Sequence, residues 1–130
     1  MTTASDGIRL DRSKNNTFEE NFIHSNSFGI RFLTSPDNEL TDNLIYSNTQ
    51  GILLSTSLRN NITDNNISLN TNYGIRFSIN SNNNIISKNN ISLNSAYGIR
   101  ITSGSSNLIK ENRIFSCSGA SCNGIFIEAG

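Results

Sequence analysis

Short alternating runs of apolar and polar residues dominate the chain, and they recur at a near-constant interval. A Gly followed by Ile stands at Gly7, Gly29, Gly51, Gly74, Gly98 and Gly124, so the intervals are 22, 22, 23, 24 and 26 residues. Inside each interval two further apolar columns repeat. One holds Phe18, Leu40, Ile62, Ile86 and Ile109; five residues on, the other holds Ile23, Ile45, Ile67, Ile91 and Ile114. Period-two alternation with β-branched residues at the repeated sites predicts strands. Three short strands and three polar corners, repeated, predict one coil each of a parallel β-solenoid.

The polar positions repeat as strictly as the apolar ones. Three asparagine columns run through the units: Asn16, Asn38, Asn60, Asn84 and Asn107; then Asn21, Asn43, Asn65, Asn89 and Asn112; then Asn26, Asn48, Asn70 and Asn94, with Cys117 in the fifth place. Stacked coils would set these amides one above another at about 4.8 Å, each bonded to backbone and to the amides of adjacent coils. Such ladders let an interior hold amides without leaving polar groups unpaired. The repeated Gly then serves either a positive φ or a close approach of backbone.

The predicted fold is all-β: a right-handed parallel β-helix with five full coils and part of a sixth. Its expected extent is a single domain over residues 1–130, with a short leader at 1–6, five coils over 7–123 and a partial coil over 124–130. The unit, Gly-Ile followed by three Asn columns with apolar residues two places after the first and second, resembles the NosD-type β-helix repeat. That repeat is shared with related carbohydrate-binding and sugar-hydrolase modules. The resemblance covers residues 7–128. It implies functions ranging over copper-site maturation accessories, polysaccharide lyases, epimerases and noncatalytic surface proteins, and fold alone does not choose among these.

Composition narrows the partners. The 130 residues carry ten Lys plus Arg against ten Asp plus Glu, which argues against a nucleic-acid binder. The apolar runs are only a few residues long, so membrane insertion is not expected, and no signal peptide is visible at the start. With one His, one Met and two Cys, neither a catalytic triad nor a metal centre can be assembled. No catalytic residue and no cofactor is expected.

Alternation sends Arg9, Arg31, Arg76 and Arg100 outward in one column, interrupted by Leu53 and Phe126. Stacked guanidiniums suit a carboxylate-rich polymer or an anionic surface; the competing reading is a solvated repeat position. Parity also sends Glu20, Phe22 and His24 outward, above Asp42, Leu44 and Tyr46. This patch fits a sugar contact or packing against a neighbouring chain. With Asp64, the acids also form a column, read as solvated rather than as a Ca²⁺ site because Lys88 follows. Cys117 and Cys122 stand in the lengthened corner Cys-Ser-Gly-Ala-Ser-Cys. A disulfide there suits an extracellular setting, with a free-thiol pair and a metal site as alternatives. Asn15, Asn61, Asn66 and Asn90 begin N-x-S/T sequons, with the last three expected to point outward.

Even corners and the lack of an acid pair in a cleft favour a noncatalytic role: an extracellular or cell-surface structural or adhesive module, not an enzyme. Residues 124–128 repeat the strand pattern of residues 7–11, so head-to-tail association of copies into filaments is expected, or continuation into flanking coils. The alternatives are a polysaccharide-binding or polysaccharide-processing domain and a NosD-type metal-site accessory.

Overall fold

The computed structural model describes residues 5–115, 119 and 122–128. Among them, three parallel sheets run along one axis. The first stacks six strands: Asp6–Asp11, Phe28–Leu33, Gln50–Ser55, Tyr73–Ser78, Tyr97–Ile101 and Asn123–Ile127. The second stacks five three-residue strands, Thr17–Glu19, Glu39–Thr41, Asn61–Thr63, Ile85–Ser87 and Leu108–Lys110. The third stacks Phe22–His24, Leu44–Tyr46, Asn66–Ser68, Asn90–Ser92 and Arg113–Phe115. Each strand pairs with its counterpart one coil on, in the register of the repeat: Ile8 on Ile30, Ile30 on Ile52, Ile52 on Ile75, Ile75 on Ile99 and Ile99 on Ile125. The β-helix predicted from the repeat is the fold.

The interior is filled by the repeated apolar columns. Ile30, Phe32, Leu40, Ile45, Ile52, Leu54, Ile62, Ile67, Ile75, Phe77, Ile86, Ile91 and Ile99 are fully buried. Their end-coil counterparts Ile8, Phe18, Ile109 and Ile114 are only partly so. A three-residue strand offers one inward side chain, so the core depends on stacking between coils and hardly at all on packing within one.

At the corners the ladders close. The backbone N–H and Nδ2 of Asn43 both donate to Asn65 Oδ1, at 3.0 and 2.9 Å, and Asn65 does the same to Asn89 Oδ1 at 2.9 and 3.0 Å. Asn65 Nδ2 also donates to the Leu40 and Thr63 carbonyls. The column that starts at Asn16 follows the same scheme through Asn107, and the column that starts at Asn26 follows it through Asn94. A serine ladder, not anticipated from the sequence, joins them: the N–H groups of Ser13, Ser35 and Ser57 donate to the Oγ atoms of Ser35, Ser57 and Ser81. Its sequence signal is the serine three places before Asn16, Asn38, Asn60 and Asn84.

One expectation is corrected and one choice is decided. Glu20, Asp42 and Asp64 do not continue the strand alternation. They occupy corners with φ of 56°, 54° and 57°, and Lys88 and Glu111 sit there too at 56°. The outward strand positions before them are Glu19, Thr41 and Thr63. The residue immediately before each ladder Asn is left-handed throughout, from Asn15 to Glu111. The turn that aims the amide inward requires this conformation, and ladder bonding offsets its cost. The repeated glycines do not adopt positive φ; among the described glycines only Gly104 does. They serve close approach: a Cβ on Gly29 would lie 2.6 Å from the Gly51 carbonyl oxygen and 2.9 Å from Ile45 Cγ2.

One corner carries backbone strain at a β-branched residue. Ile79, with φ 42° and followed by Asn80 at 48°, holds a β-branched side chain in the left-handed region while 59% exposed. Replacing Ile79 by Asn, which tolerates this region, should raise stability by about 0.5–1 kcal/mol, read from thermal or urea midpoints. On another corner, Arg59 Nε and Nη2 bond both oxygens of Asp37 at 2.7 and 2.8 Å across adjacent coils. This guanidinium holds the Asp37 carboxyl below its usual value. The support it gives is therefore present above the unfolded carboxylate range and fades as pH falls through the lowered value.

Candidate functional site

The outer face of the six-stranded sheet carries two adjacent columns. Arg9, Arg31, Leu53, Arg76, Arg100 and Phe126 follow one another in register. Beside them, Asp6, Phe28, Gln50, Tyr73 and Tyr97 occupy the place just before the first five repeated glycines. The arginines lie over the rings. The Arg31 guanidinium is 4.7 Å from the Phe28 centroid and that of Arg76 is 5.4 Å from Tyr73, while Arg100 lies 5.6 Å from Tyr73 and 5.5 Å from Tyr97. Tyr73 and Tyr97 stack at 5.8 Å with planes 18° apart. The aromatic column escaped the sequence reading, although Phe-Gly and Tyr-Gly pairs at three of the repeats marked it.

Charge on this face is unevenly compensated. Arg9 pairs with Asp11, Arg31 with Asp6, and Arg100 with Glu128 at 3.2 Å and the Tyr73 hydroxyl at 2.9 Å. Arg76 has no acidic partner among the described residues, and its Nε is buried without a hydrogen bond. Gln50 Oε1, one coil away in the neighbouring column, is likewise buried and unpartnered. An arginine held against a ring, with donors to spare, is ready for a planar anion.

The second candidate patch lies on the third sheet. Phe22 pairs with Leu44 and His24 with Tyr46. The His24 and Tyr46 rings stack at 4.9 Å, and His24 Nδ1 is 3.0 Å from Ser25 Oγ. Phe22 is 76% exposed, while Leu44 and Tyr46 are half-buried. Glu20 and Asp42 stand at the preceding corner, exposed to solvent. Of the sequon residues, Asn66 and Asn15 are exposed, whereas Asn61 and Asn90 are half-buried. Cys117 lies outside the described residues, and with it the expected disulfide to Cys122.

Solved structures share this architecture. A point mutant of the periplasmic alginate epimerase AlgG matches with a TM-score of 0.71 and 21% identity, over 94% of this chain and 36% of that one. The unmodified epimerase matches with a TM-score of 0.67 and 23% identity, over 95% of this chain and 28% of that one. The chain therefore spans about a third of these proteins. No curated protein matches it. The expectation that the chain is not an enzyme is overturned by these matches, because the structures with its coil architecture are epimerases. That expectation rested on even corners that wall no cleft.

A family model described as periplasmic copper-binding protein (NosD) matches residues 1–129. The described residues do not fit copper: no three of His, Cys, Asp or Glu gather among them, and His24 is stacked on Tyr46. Oxygen-rich corners with a lone imidazole are not the thiolate, thioether or multi-imidazole sets that copper takes. On a match that runs nearly from end to end, and on the coil-by-coil repeat beneath it, the chain belongs to the NosD family.

Proposed function

We propose that the chain is the polymer-gripping part of a carbohydrate-active β-helix working in the cell envelope or beyond it. It takes an acidic polysaccharide along the outer face of the six-stranded sheet. The observation that carries this reading is Arg76, held over Tyr73 with no acid of its own among the described residues. Sugar rings offer C–H faces to the half-buried Tyr97, the buried Tyr73 backs the guanidinium, and a uronate carboxylate suits the planar guanidinium fork. The alginate epimerases that share the fold and the periplasmic description of the family support the substrate class and the location.

Affinity electrophoresis or calorimetry with acidic and neutral polysaccharides tests the reading, with NMR of the polymer to detect turnover. Saturable binding to an acidic polymer is expected, weakened by salt. Arg76→Ala should weaken it about tenfold, equivalent to about 1.4 kcal/mol. Equal binding of neutral polymers, or affinity unmoved by both Arg76→Ala and Tyr73→Ala, would overturn it.

A further inference from the structure

A third outward column completes the face of the six-stranded sheet: Asp11, Leu33, Ser55 and Ser78 follow one another in register beside the arginines. Charge is spread unevenly over the three columns. The carboxylates stand toward the two ends, Asp6 and Asp11 in the first strand and Glu128 just after the last. Each already holds an arginine: Asp6 pairs with Arg31, Asp11 with Arg9 and Glu128 with Arg100.

The middle coils differ from the ends and from each other. Strand Gln50–Ser55 turns Gln50, Leu53 and Ser55 outward, all half-buried and none charged. Strand Tyr73–Ser78 turns out Arg76, which has no acidic partner among the described residues. Leu53 lies in register between Arg31 and Arg76, where the column lacks its cation.

Adjacent coils are about 4.8 Å apart, close to the advance of one pyranose in an extended polymer. A chain lying along the axis therefore sets one sugar on Arg76 and its neighbours on Leu53 and Arg100. A carboxylate over Arg76 meets a guanidinium with donors to spare. Over Leu53 it would shed water against an apolar side chain and gain no cation, which is costly for a charge. Over Arg100 it meets a guanidinium already bonded to Glu128 at 3.2 Å and to the Tyr73 hydroxyl at 2.9 Å. The Leu53 coil suits an uncharged sugar instead. It offers apolar surface for a C–H face or an N-acetyl methyl, with the Gln50 amide and the Ser55 hydroxyl to either side for sugar hydroxyls.

We infer that this face selects an acidic sugar flanked by neutral ones, as in a heteropolysaccharide where uronate alternates with an uncharged residue. It disfavours a polymer with a carboxylate on every unit, and Leu53 is the residue that sets the preference. This selectivity presupposes the polysaccharide grip proposed above and narrows it to one class.

Calorimetry at physiological salt on chains of matched length tests it. The probes are hyaluronan, in which glucuronate alternates with N-acetylglucosamine, polygalacturonate, with a carboxylate on every unit, and uncharged dextran. Hyaluronan should bind about fivefold more tightly than polygalacturonate, although polygalacturonate carries the denser charge. Dextran should bind more weakly than either. Leu53→Arg supplies the missing cation and should tighten polygalacturonate about fivefold relative to hyaluronan. Gln50→Arg adds a cation to the same coil from the neighbouring column and should act in the same direction. Circular dichroism verifies the fold of each variant. Polygalacturonate bound as tightly as hyaluronan, with affinity that Arg76→Ala still reduces, would overturn the selectivity and leave the grip standing. A preference that neither Leu53→Arg nor Gln50→Arg shifts would also overturn it. Failure of both acidic polymers to bind would overturn the selectivity and the grip together.

Discussion

Replacing Asn65 by Leu is expected to lower stability by about 3 kcal/mol, at the upper end of the cost of leaving buried polar groups unpaired. The size follows from how many partners one amide serves. Asn65 Oδ1 accepts from both the N–H and the Nδ2 of Asn43, and its Nδ2 donates to Asn89 Oδ1 and to the Leu40 and Thr63 carbonyls. Leucine has nearly the same size and removes all of these while leaving every partner buried. Asn66, one residue on, is exposed, and Asn66→Ser should change stability by less than about 0.5 kcal/mol. Urea midpoints of the two variants decide the matter: equal shifts would mean that the ladder does not bear on stability.

A comparable loss is expected from a much smaller change. Gly29→Ala adds one methyl group, and that group would sit 2.6 Å from the Gly51 carbonyl oxygen, 2.9 Å from Ile45 Cγ2 and 3.0 Å from Asn48 Nδ2. The first of these is backbone belonging to the next coil, so relief requires the coils to separate locally. The expected cost is about 3 kcal/mol, the upper range for forcing extra volume into a packed interior. Gly124, at the last strand, meets nothing closer than 3.5 Å, and Gly124→Ala should be nearly neutral. Thermal melts of the pair separate crowding by a following coil from any general intolerance of alanine in this strand.

The fold was legible because stacking is self-templating. Identical residues sit on one another, so the columns of Ile and Asn in the sequence are the columns of the core and its corners. The outer surface was legible only in part. Period-two alternation places Arg31, Phe22 and Tyr46 correctly because each lies within a strand, but it fails at Glu20 and Asp42, where a left-handed corner resets the count. Phe28, Tyr73 and Tyr97 were missed for a related reason: each opens its strand, but the Gly and the Ile that follow are both buried, so the period of two is broken between them. The serine ladder was hidden by its commonness and by the extra residue at Ile79 and Asn80, which shifts its continuation so that the Asn80 N–H donates to Ser103 Oγ. Arg76 was named from the sequence along with three other arginines. Only the positions of Asp6, Asp11 and Glu128 distinguish it from them.

Because each corner spends one left-handed residue to aim one amide, and each amide binds only the coils directly above and below, no part of the structure measures its own total length. A coil can be added or removed without altering the bonding of coils further away. On the proposed function, the arginine and tyrosine face is then a ruler graduated in single coils of about 4.8 Å, and the length of polymer it would span changes in those whole steps. Affinity and reach on such a surface can be tuned by duplicating a stretch of sequence, with no new side-chain chemistry at all.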